Sequence, residues 1–210
     1  MGYIANFGLT AFDLVKVTTT MRLSKIYTRV GDDGKTYIAD GSRLPKDDLR
    51  VESYGNVDEL NANLGMLVDE LSGSAKFKAH LDQLYMIQNQ LFDLGAELST
   101  PLEKLNFEKQ QVIRKQEIKA LEDQIDAMND HLKPLENFIL PGGHKLVSWT
   151  HICRTVCRRA ERSVISLHNQ QPVREEVIKF LNRLSDYFFV LGRDLSRQLD
   201  CGEKLWQQRK

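Results

Sequence analysis

Four arginines fall within nine consecutive positions, 154–162, of the segment Cys153-Arg154-Thr155-Val156-Cys157-Arg158-Arg159-Ala160-Glu161-Arg162. The remaining residues of this segment have the spacing of an amphipathic helix. At about 100° per residue, Arg154, Arg158 and Arg162 lie in one row on such a helix, and Arg159 borders the row. Like charges at this spacing repel one another, so the row needs carboxylates or a polyanion beside it. Guanidinium groups fit phosphate well, so the segment predicts a helix with one buried face and one anion-binding face.

Apolar residues recur at helical spacing on both sides of this arginine row. They define five segments, at residues 57–71, 77–98, 118–132, 146–167 and 177–195. We expect helices of roughly 18 to 28 residues each, because Gly73, Pro101 and Pro134 end the first three patterns. The links are short and no strand signal is strong. The sequence therefore predicts an all-α fold, a five-helix up-and-down bundle preceded by a glycine-containing N-terminal loop.

The length of 210 residues fits one domain with a substantial core. Residues 1–20 contain a single basic residue, Lys16, and have neither the apolar centre of a signal peptide nor the arginines of a transit peptide. We assign them to an N-terminal extension outside the fold. Residues 21–200 are assigned to one bundle domain, and residues 201–210 to a C-terminal tail.

The chain carries 29 basic and 29 acidic residues, so its formal net charge is zero. This balance argues against non-specific binding to nucleic acids or membranes, which requires a basic surface. No apolar run approaches the ~20 residues of a membrane span. The cysteines, Cys153, Cys157 and Cys201, are odd in number and lack the spacing of a disulfide framework. We therefore expect reduced thiols and a cytoplasmic protein.

The main glycine cluster of the chain lies in residues 24–46, where the helical pattern has not yet begun. Its core, residues 27–36, is similar to a phosphate loop but is not a Walker motif, because Arg29 stands where that motif requires a glycine. Backbone N–H groups can still converge on an anion here, with Thr28, Arg29, Lys35 and Thr36 as further donors. The alternative is an ordinary solvated turn.

Other polar residues lie beside or within apolar helical patterns. Asn182 and Asp186 share a face at i,i+4, and they belong either to a buried hydrogen-bond network or to a ligand site. The pair Asp58-Glu59 could supply the carboxylate that an arginine requires. No protein metal site is predicted, because Cys153 and Cys157 have helical spacing rather than that of a metal knuckle. A divalent ion is expected to arrive with the phosphates of a nucleotide.

Five motifs occur in an order that closely resembles the PduO-type ATP:cob(I)alamin adenosyltransferases. They are Tyr27-Thr28-Arg29-x-Gly31-Asp32-x-Gly34-x-Thr36, Val57-Asp58-Glu59-Leu60-Asn61, Phe138-Ile139-Leu140-Pro141-Gly142-Gly143, Arg154-x3-Arg158-Arg159-Ala160-Glu161-Arg162 and Phe180-Leu181-Asn182-Arg183-Leu184-Ser185-Asp186. The resemblance extends over residues 23–197. It implies a five-helix bundle, a homotrimer with ATP between adjacent subunits, and transfer of the 5′-deoxyadenosyl group of ATP to the cobalt of cob(I)alamin, giving adenosylcobalamin and triphosphate.

By this resemblance, the N-terminal loop is a nucleotide clamp. The residues around the phosphates would be Thr28, Arg29, Val30 and Gly31, with further contacts from Thr36 and Lys46. The arginine helix would contact the same ATP from the neighbouring subunit. Its contributions would come from Arg158, Arg159, Ala160, Glu161 and Arg162, while Asn182 of the last helix holds the nucleotide. Arg29 stands where many relatives have lysine, which keeps the charge and changes the hydrogen-bond geometry.

The resemblance also implies roles in catalysis. Arg154 would pair with Asp58 across the subunit interface. Arg158, with Lys46 and Mg²⁺, would stabilise the triphosphate that leaves when cobalt attacks C5′ of ATP. Phe138 would lie under the corrin ring, displace the lower axial ligand and so ease reduction of cob(II)alamin by a reductase. Because cobalt is the nucleophile, no general base is required.

Two other classes of function compete with this interpretation. A non-catalytic ATP-binding bundle, acting as a sensor or scaffold, could keep the fold without transferring adenosine. The presence of Asp58, Arg154, Arg158, Asn182 and Phe138 argues against it. A helical nucleic-acid binder could use the arginine row, but the zero net charge conflicts with that function.

Overall fold

The computed structural model describes Tyr27 and residues 29–208, so the predicted extension at residues 1–20 and Thr28 lie outside the described residues. A two-stranded hairpin precedes five α-helices. The elements are β1 (Lys35–Tyr37), β2 (Arg43–Pro45), α1 (Leu49–Ser72), α2 (Lys78–Leu98), α3 (Lys115–Asn129), α4 (Lys145–His168) and α5 (Glu175–Gln198). The predicted five helices are confirmed, although α3, at 15 residues, is shorter than expected. No helix in the described part of the chain is long and apolar enough to cross a membrane.

The predicted up-and-down arrangement can be read from contacts at the helix ends. Arg50, at the start of α1, donates from Nη1 to the carbonyl of Leu98 at the end of α2, at 2.7 Å. Ser53 donates from Oγ to the carbonyl of Ser163, near the end of α4, at 3.1 Å. Because the start of α1 meets the ends of both neighbours, α2 and α4 run antiparallel to α1.

The last helix, α5, runs antiparallel to α2. Arg174, just before α5, bonds to Glu97 near the end of α2 at 2.9 Å, while Gln198 at its other end lies 3.0 Å from His80 near the start of α2.

The short helix α3 runs in the same direction as α5. Arg183 donates to Glu122 at 3.0 Å. Farther along both segments, Arg193 donates to the carbonyl of Lys133, just beyond α3, at 2.8 Å. Successive helices therefore alternate in direction, and the up-and-down bundle is confirmed.

The arginine helix buries the face that its apolar spacing predicts. The buried positions of α4 include Leu146, Cys153, Val156, Cys157, Ala160, Val164 and Leu167, and Trp149 is half-buried. They pack against the apolar faces of α1 and α5, where Leu64 and Leu184 are fully buried. Burying a side chain of this size contributes about 1.5–3 kcal/mol to folding, and the packing fixes which side of α4 faces outward.

The hairpin β1–β2 was not predicted, since each strand has only three residues. Its register pairs Lys35 with Pro45 and Tyr37 with Arg43. The turn contains Gly41 at φ +83°, a conformation that favours glycine. Ala39 donates its N–H to the carbonyl of Ser99 at 3.2 Å, which ties the hairpin to the end of α2. The N-terminal loop is therefore held at the end of the bundle where α1 begins.

The carboxylate of Asp194 joins the end of α5 to α2. It is buried and accepts hydrogen bonds from Arg197 at 2.7 Å and Gln198 at 2.6 Å, and it lies 3.2 Å from Nε2 of His80. Burial raises the pKa of Asp194, but the hydrogen bonds from His80, Arg197 and Gln198 outweigh that effect and lower the pKa to about 2. Periodicity gave no sign of this buried polar cluster.

The low pKa of Asp194 predicts a loss of stability in acid. A carboxyl whose pKa is lower in the folded chain stabilises the fold above its unfolded pKa of about 3.9, and the contribution disappears as the pH falls toward 2. Asp194→Asn should therefore reduce the free energy of unfolding by about 2 kcal/mol at pH 7, and by about half as much at pH 3. Urea denaturation at both pH values measures this, with the exposed Asp123→Asn as control. An equal loss at both pH values would contradict the assignment.

Candidate active site

The arginine row forms an outward-facing surface of α4 between α1 and α5. Arg158, Arg159 and Arg162 are exposed. Arg159 forms an ion pair with Glu59 of α1, and Glu161 accepts a hydrogen bond from Nδ2 of Asn182 in α5 at 2.9 Å. These two contacts hold the flanks of the row, so the guanidinium groups of Arg158 and Arg162 remain directed toward solvent. The face predicted to bind anions is therefore exposed, and it borders both neighbouring helices.

Arg154 differs from the rest of the row because it is half-buried. Its Nε is buried and has no hydrogen-bond partner among the described residues. Burial lowers the pKa of Arg154, and the positive charge of Arg158 lowers it further. Within one chain no ion pair joins Arg154 to Asp58 in the described part of the sequence, and Asp58 itself is exposed. A buried Nε–H without an acceptor destabilises the isolated chain.

Asp58 lies in a cleft of about 440 Å³ between α1, α2 and the hairpin. Its lining includes Tyr37, Tyr54 and Phe92, and Phe92 is 70% exposed despite being a large apolar residue. Asn61 also lines the cleft, and its Oδ1 is buried without a hydrogen-bond partner among the described residues. Sequence reasoning missed this cleft, since an exposed aromatic on a helix gives no periodic signal.

The N-terminal loop places a cation beside a glycine. Lys46 packs against Gly31, and a Cβ added to Gly31 would lie 3.2 Å from Nζ of Lys46. Arg43 donates to the carbonyl of Val30 at 2.8 Å and to Asp33 at 2.7 Å, which fixes the loop over the hairpin. Arg29 has a φ of 62°, which is uncommon for a residue with a side chain. Val30, Arg29 and Lys46 are exposed, and Gly31 and Thr36 are half-buried.

Burial in the structure bears on two expectations for the helices. Asn182 and Asp186 were considered for a buried polar network, but both are exposed, because the buried face of α5 includes Leu181 and Ser185 and turns the next positions outward. Ala160, assigned to ATP contact by resemblance, is fully buried. Its side chain packs in the core and is not available to a nucleotide.

Phe138 lies in the segment between α3 and α4 and is 79% exposed. This segment pairs with the C-terminal tail through a bridge between Ile139 and Leu205. Lys145, at the start of α4, bonds to Glu70 near the end of α1 at 2.8 Å. Phe138 is therefore at the end of the bundle where α1 finishes.

The N-terminal loop and Phe138 consequently lie at opposite ends of one chain. The loop is joined to the start of α1 and the end of α2, whereas Phe138 follows α3 and bonds to the tail beyond α5. α1 has 24 residues, and a helix of that length spans about 36 Å. A nucleotide held by the loop of one chain is thus distant from Phe138 of the same chain.

The described residues contain no group of three or more His, Cys, Asp or Glu side chains placed to hold a metal ion. Cys153 and Cys157 are buried, and burial raises the pKa of Cys153 to about 12 and raises that of Cys157 well above its ordinary value. His151 is buried between α4 and α5, with its ring edge-on to Phe189. The thiols of Cys153 and Cys157 therefore belong to the core.

The chain matches a family described as cobalamin adenosyltransferase over residues 26–195. It is 42% identical over 179 residues to the corrinoid adenosyltransferase of Bacillus subtilis, covering 85% of this chain and 90% of that protein. It is 43% identical over 189 residues to the cobalamin adenosyltransferase of Cupriavidus metallidurans, covering 90% and 97% of the two chains.

Solved structures agree with these relatives. A phenylalanine-to-alanine variant of the PduO-type ATP:corrinoid adenosyltransferase from Lactobacillus reuteri, complexed with cobalamin and ATP, superposes with a TM-score of 0.81 at 35% identity, covering 88% of this chain and 100% of that one. An arginine-to-lysine variant of the same enzyme, complexed with ATP, gives a TM-score of 0.80 at 36% identity, covering 87% and 100%. The chain therefore belongs to the cobalamin adenosyltransferase family and transfers the adenosyl group from ATP to a corrinoid.

The burial of the α4 thiols predicts their reactivity. At pH 8 in the folded protein, a thiol reagent such as DTNB should titrate about one thiol per chain, that of Cys201, because buried cysteines of raised pKa are inert. All three cysteines are free, so all should react in guanidinium chloride. Cys201→Ser should leave the folded protein unreactive. Rapid reaction of two thiols in the folded protein would contradict the placement of α4.

Proposed function

We propose that each active site forms between two copies of this chain, with the N-terminal loop and Asp58 of one copy facing the arginine row and Phe138 of the next. The observation that carries this proposal is the separation of the loop from Phe138 by the length of α1. Both elements serve one reaction in the interpretation from sequence, and a single chain cannot bring them together. Two adjacent copies can do so without any change of fold.

The buried Nε of Arg154 supports this arrangement. Its Nε is buried and lacks an acceptor among the described residues, while Asp58 is an exposed carboxylate on the face formed by α1 and α2. Pairing Asp58 of one copy with Arg154 of the next would replace an unfavourable state by a charge-assisted hydrogen bond. Assembly would then supply the acceptor that this Nε lacks.

The two surfaces that meet are different, and this difference favours a ring. One surface carries the hairpin, Asp58 and the cleft; the other carries Arg154, Arg158 and Asn182. Contacts between unlike surfaces are heterologous and produce closed rings when the rotation closes. We infer a homotrimer, which is the ring that the resemblance implies, with three equivalent sites at its interfaces.

Within such a site, ATP would lie between the loop and the arginine row. One copy would contact the phosphates through Lys46, the backbone of Val30 and Gly31, Arg29, Thr28 and Thr36. The other copy would contact the nucleotide through Arg158, Arg159, Glu161, Arg162 and Asn182. Since the described residues hold no cluster of metal ligands, Mg²⁺ would be bound mainly by the triphosphate oxygens.

The reaction requires positioning and cations from the protein. The cobalt electron pair of cob(I)alamin attacks C5′ of ATP and forms the Co–C bond, while the C5′–O bond breaks and triphosphate leaves with the bonding electrons. The leaving group gains negative charge, which Arg158 and Lys46 stabilise. No proton is transferred at the reacting carbon, so the reaction needs no general base.

Phe138 would act on the corrin rather than on ATP. An apolar ring beneath the corrin would displace the lower axial ligand of cobalt, and the ligand-free cob(II)alamin is easier to reduce. The reduction consumes one electron, so the proposal includes an electron-donating reductase as a partner. Three free cysteines fit a reducing compartment, and we infer the cytoplasm.

Arg158→Ala should abolish turnover and leave the fold intact, because the side chain is exposed and contributes charge rather than packing. We expect a loss of at least ~100-fold. Purified protein, ATP, Mg²⁺ and chemically reduced cobalamin are mixed, and the corrinoid absorption spectrum reports adenosylcobalamin. The exposed Arg114→Ala is the control and should retain activity. Activity near that of the unaltered chain in Arg158→Ala would refute its role at the phosphates.

Complementation between two inactive variants tests the composite site. Lys46→Ala damages only the loop half, and Arg158→Ala damages only the helix half. The two variants are mixed in equal amounts and allowed to exchange subunits. The mixture should then show about a quarter of the activity of the unaltered protein, because one interface in four joins two intact halves. Each variant alone should stay inactive. If the mixture is as inactive as its components, despite proven exchange of subunits, the site lies within one chain.

A further inference from the structure

Phe138 is held by hydrogen bonds of its backbone rather than by packing in the core. Its side chain is 79% exposed. Its carbonyl accepts a hydrogen bond from the N–H of Trp206 at 2.7 Å, and the N–H of Leu140 donates to the carbonyl of Lys204 at 2.7 Å. These bonds flank the bridge between Ile139 and Leu205. The tail thus supplies the partner strand that this segment otherwise lacks.

Asn137 connects the two segments with a single side chain. Its Oδ1 accepts from the N–H of Phe138 at 2.8 Å, and its Nδ2 donates to the carbonyl of Trp206 at 2.9 Å. The ring of Trp206 meets the ring of Phe138 edge-on, with centroids 6.4 Å apart and planes at 75°. This is the favourable geometry for an aromatic pair. Both the backbone and the ring of Phe138 are therefore in contact with Trp206 or Asn137.

The tail is itself anchored to the end of α5. Arg193 is 4% exposed and donates to Glu203 at 2.7 and 3.2 Å. Ser196 donates from Oγ to the carbonyl of Gly202 at 2.8 Å, and Gly202 has a φ of +69°. A left-handed turn closed by a buried arginine directs the tail back across the bundle, so its strand reaches Phe138 in a defined register.

We propose that residues 203–206 form a latch that positions Phe138 for the corrin, with Asn137 and Trp206 as its positioning residues. The inference rests on the function proposed above for Phe138. An exposed ring displaces an axial ligand only while it occupies one orientation, and the latch restricts it to that orientation before the corrin binds. Cob(I)alamin has no lower ligand to displace, so the latch matters for cob(II)alamin.

The test compares Asn137→Ala, Trp206→Ala and Phe138→Ala with the unaltered protein. The control is Phe107→Ala, a 53% exposed aromatic on the loop beside Arg174, at the other end of α5. Three quantities are measured with ATP present: the rate from cob(I)alamin, the rate from cob(II)alamin with an electron donor, and the fraction of four-coordinate cob(II)alamin by electron paramagnetic resonance. Circular dichroism confirms that each variant is folded.

We expect Asn137→Ala and Trp206→Ala each to lower the four-coordinate fraction and the cob(II)alamin rate about fivefold, because each variant loses one hydrogen bond or one aromatic contact. The cob(I)alamin rate should change less than about twofold. Phe138→Ala should lose the four-coordinate species, and adding Trp206→Ala to it should cause no further loss, because both act through one ring. Phe107→Ala should match the unaltered protein.

The outcomes separate the latch from the proposed function. If Phe138→Ala changes the four-coordinate fraction and the two latch variants do not, the latch is overturned and the role of Phe138 stands. Equal losses in the cob(I)alamin and cob(II)alamin rates would also overturn the latch, since they indicate a general structural effect. If Phe138→Ala leaves the four-coordinate fraction unchanged, the role of Phe138 fails, and the latch fails with it.

Discussion

The main physical constraint on this structure is the charge repulsion among four arginines on one helix. The apolar side of α4 must be buried, which leaves Arg158 and Arg162 facing solvent and forces Arg154 partly into the interior. Glu59 pairs with Arg159 and Glu161 accepts a hydrogen bond from Asn182, but Nε of Arg154 finds no acceptor among the described residues. The chain is therefore folded but electrostatically incomplete, and both ATP and a second copy would supply the missing negative charge.

Helical periodicity was sufficient to predict the bundle because buried apolar faces recur every three to four residues in all five helices. It was insufficient for the hairpin, whose three-residue strands are too short to show alternation. It also could not choose between a buried network and a ligand site for Asn182. One position along a helix rotates a side chain by about 100°, so the neighbour of the buried Leu181 can be exposed.

Motifs were enough to propose the individual site residues, but they could not show how those residues are distributed between two surfaces. No spacing in the sequence reveals that Lys46 lies against Gly31 at one end of α1, while Phe138 lies at the other end. That separation depends on the direction of α1 in the folded bundle. The cleft beside Asp58 and the contacts of Asn137 with the tail are likewise products of tertiary structure, since the paired segments are 69 residues apart.

The length of α1 has an evolutionary consequence. Its 24 residues set the spacing between the elements at the two ends of the bundle and the direction in which Asp58 points. Inserting or deleting one residue would rotate everything beyond it by about 100° and shift it by about 1.5 Å, which would misalign the carboxylate and the core together. Insertions and deletions among relatives should therefore be confined to the connections, and α1 should keep a constant length even where its sequence diverges.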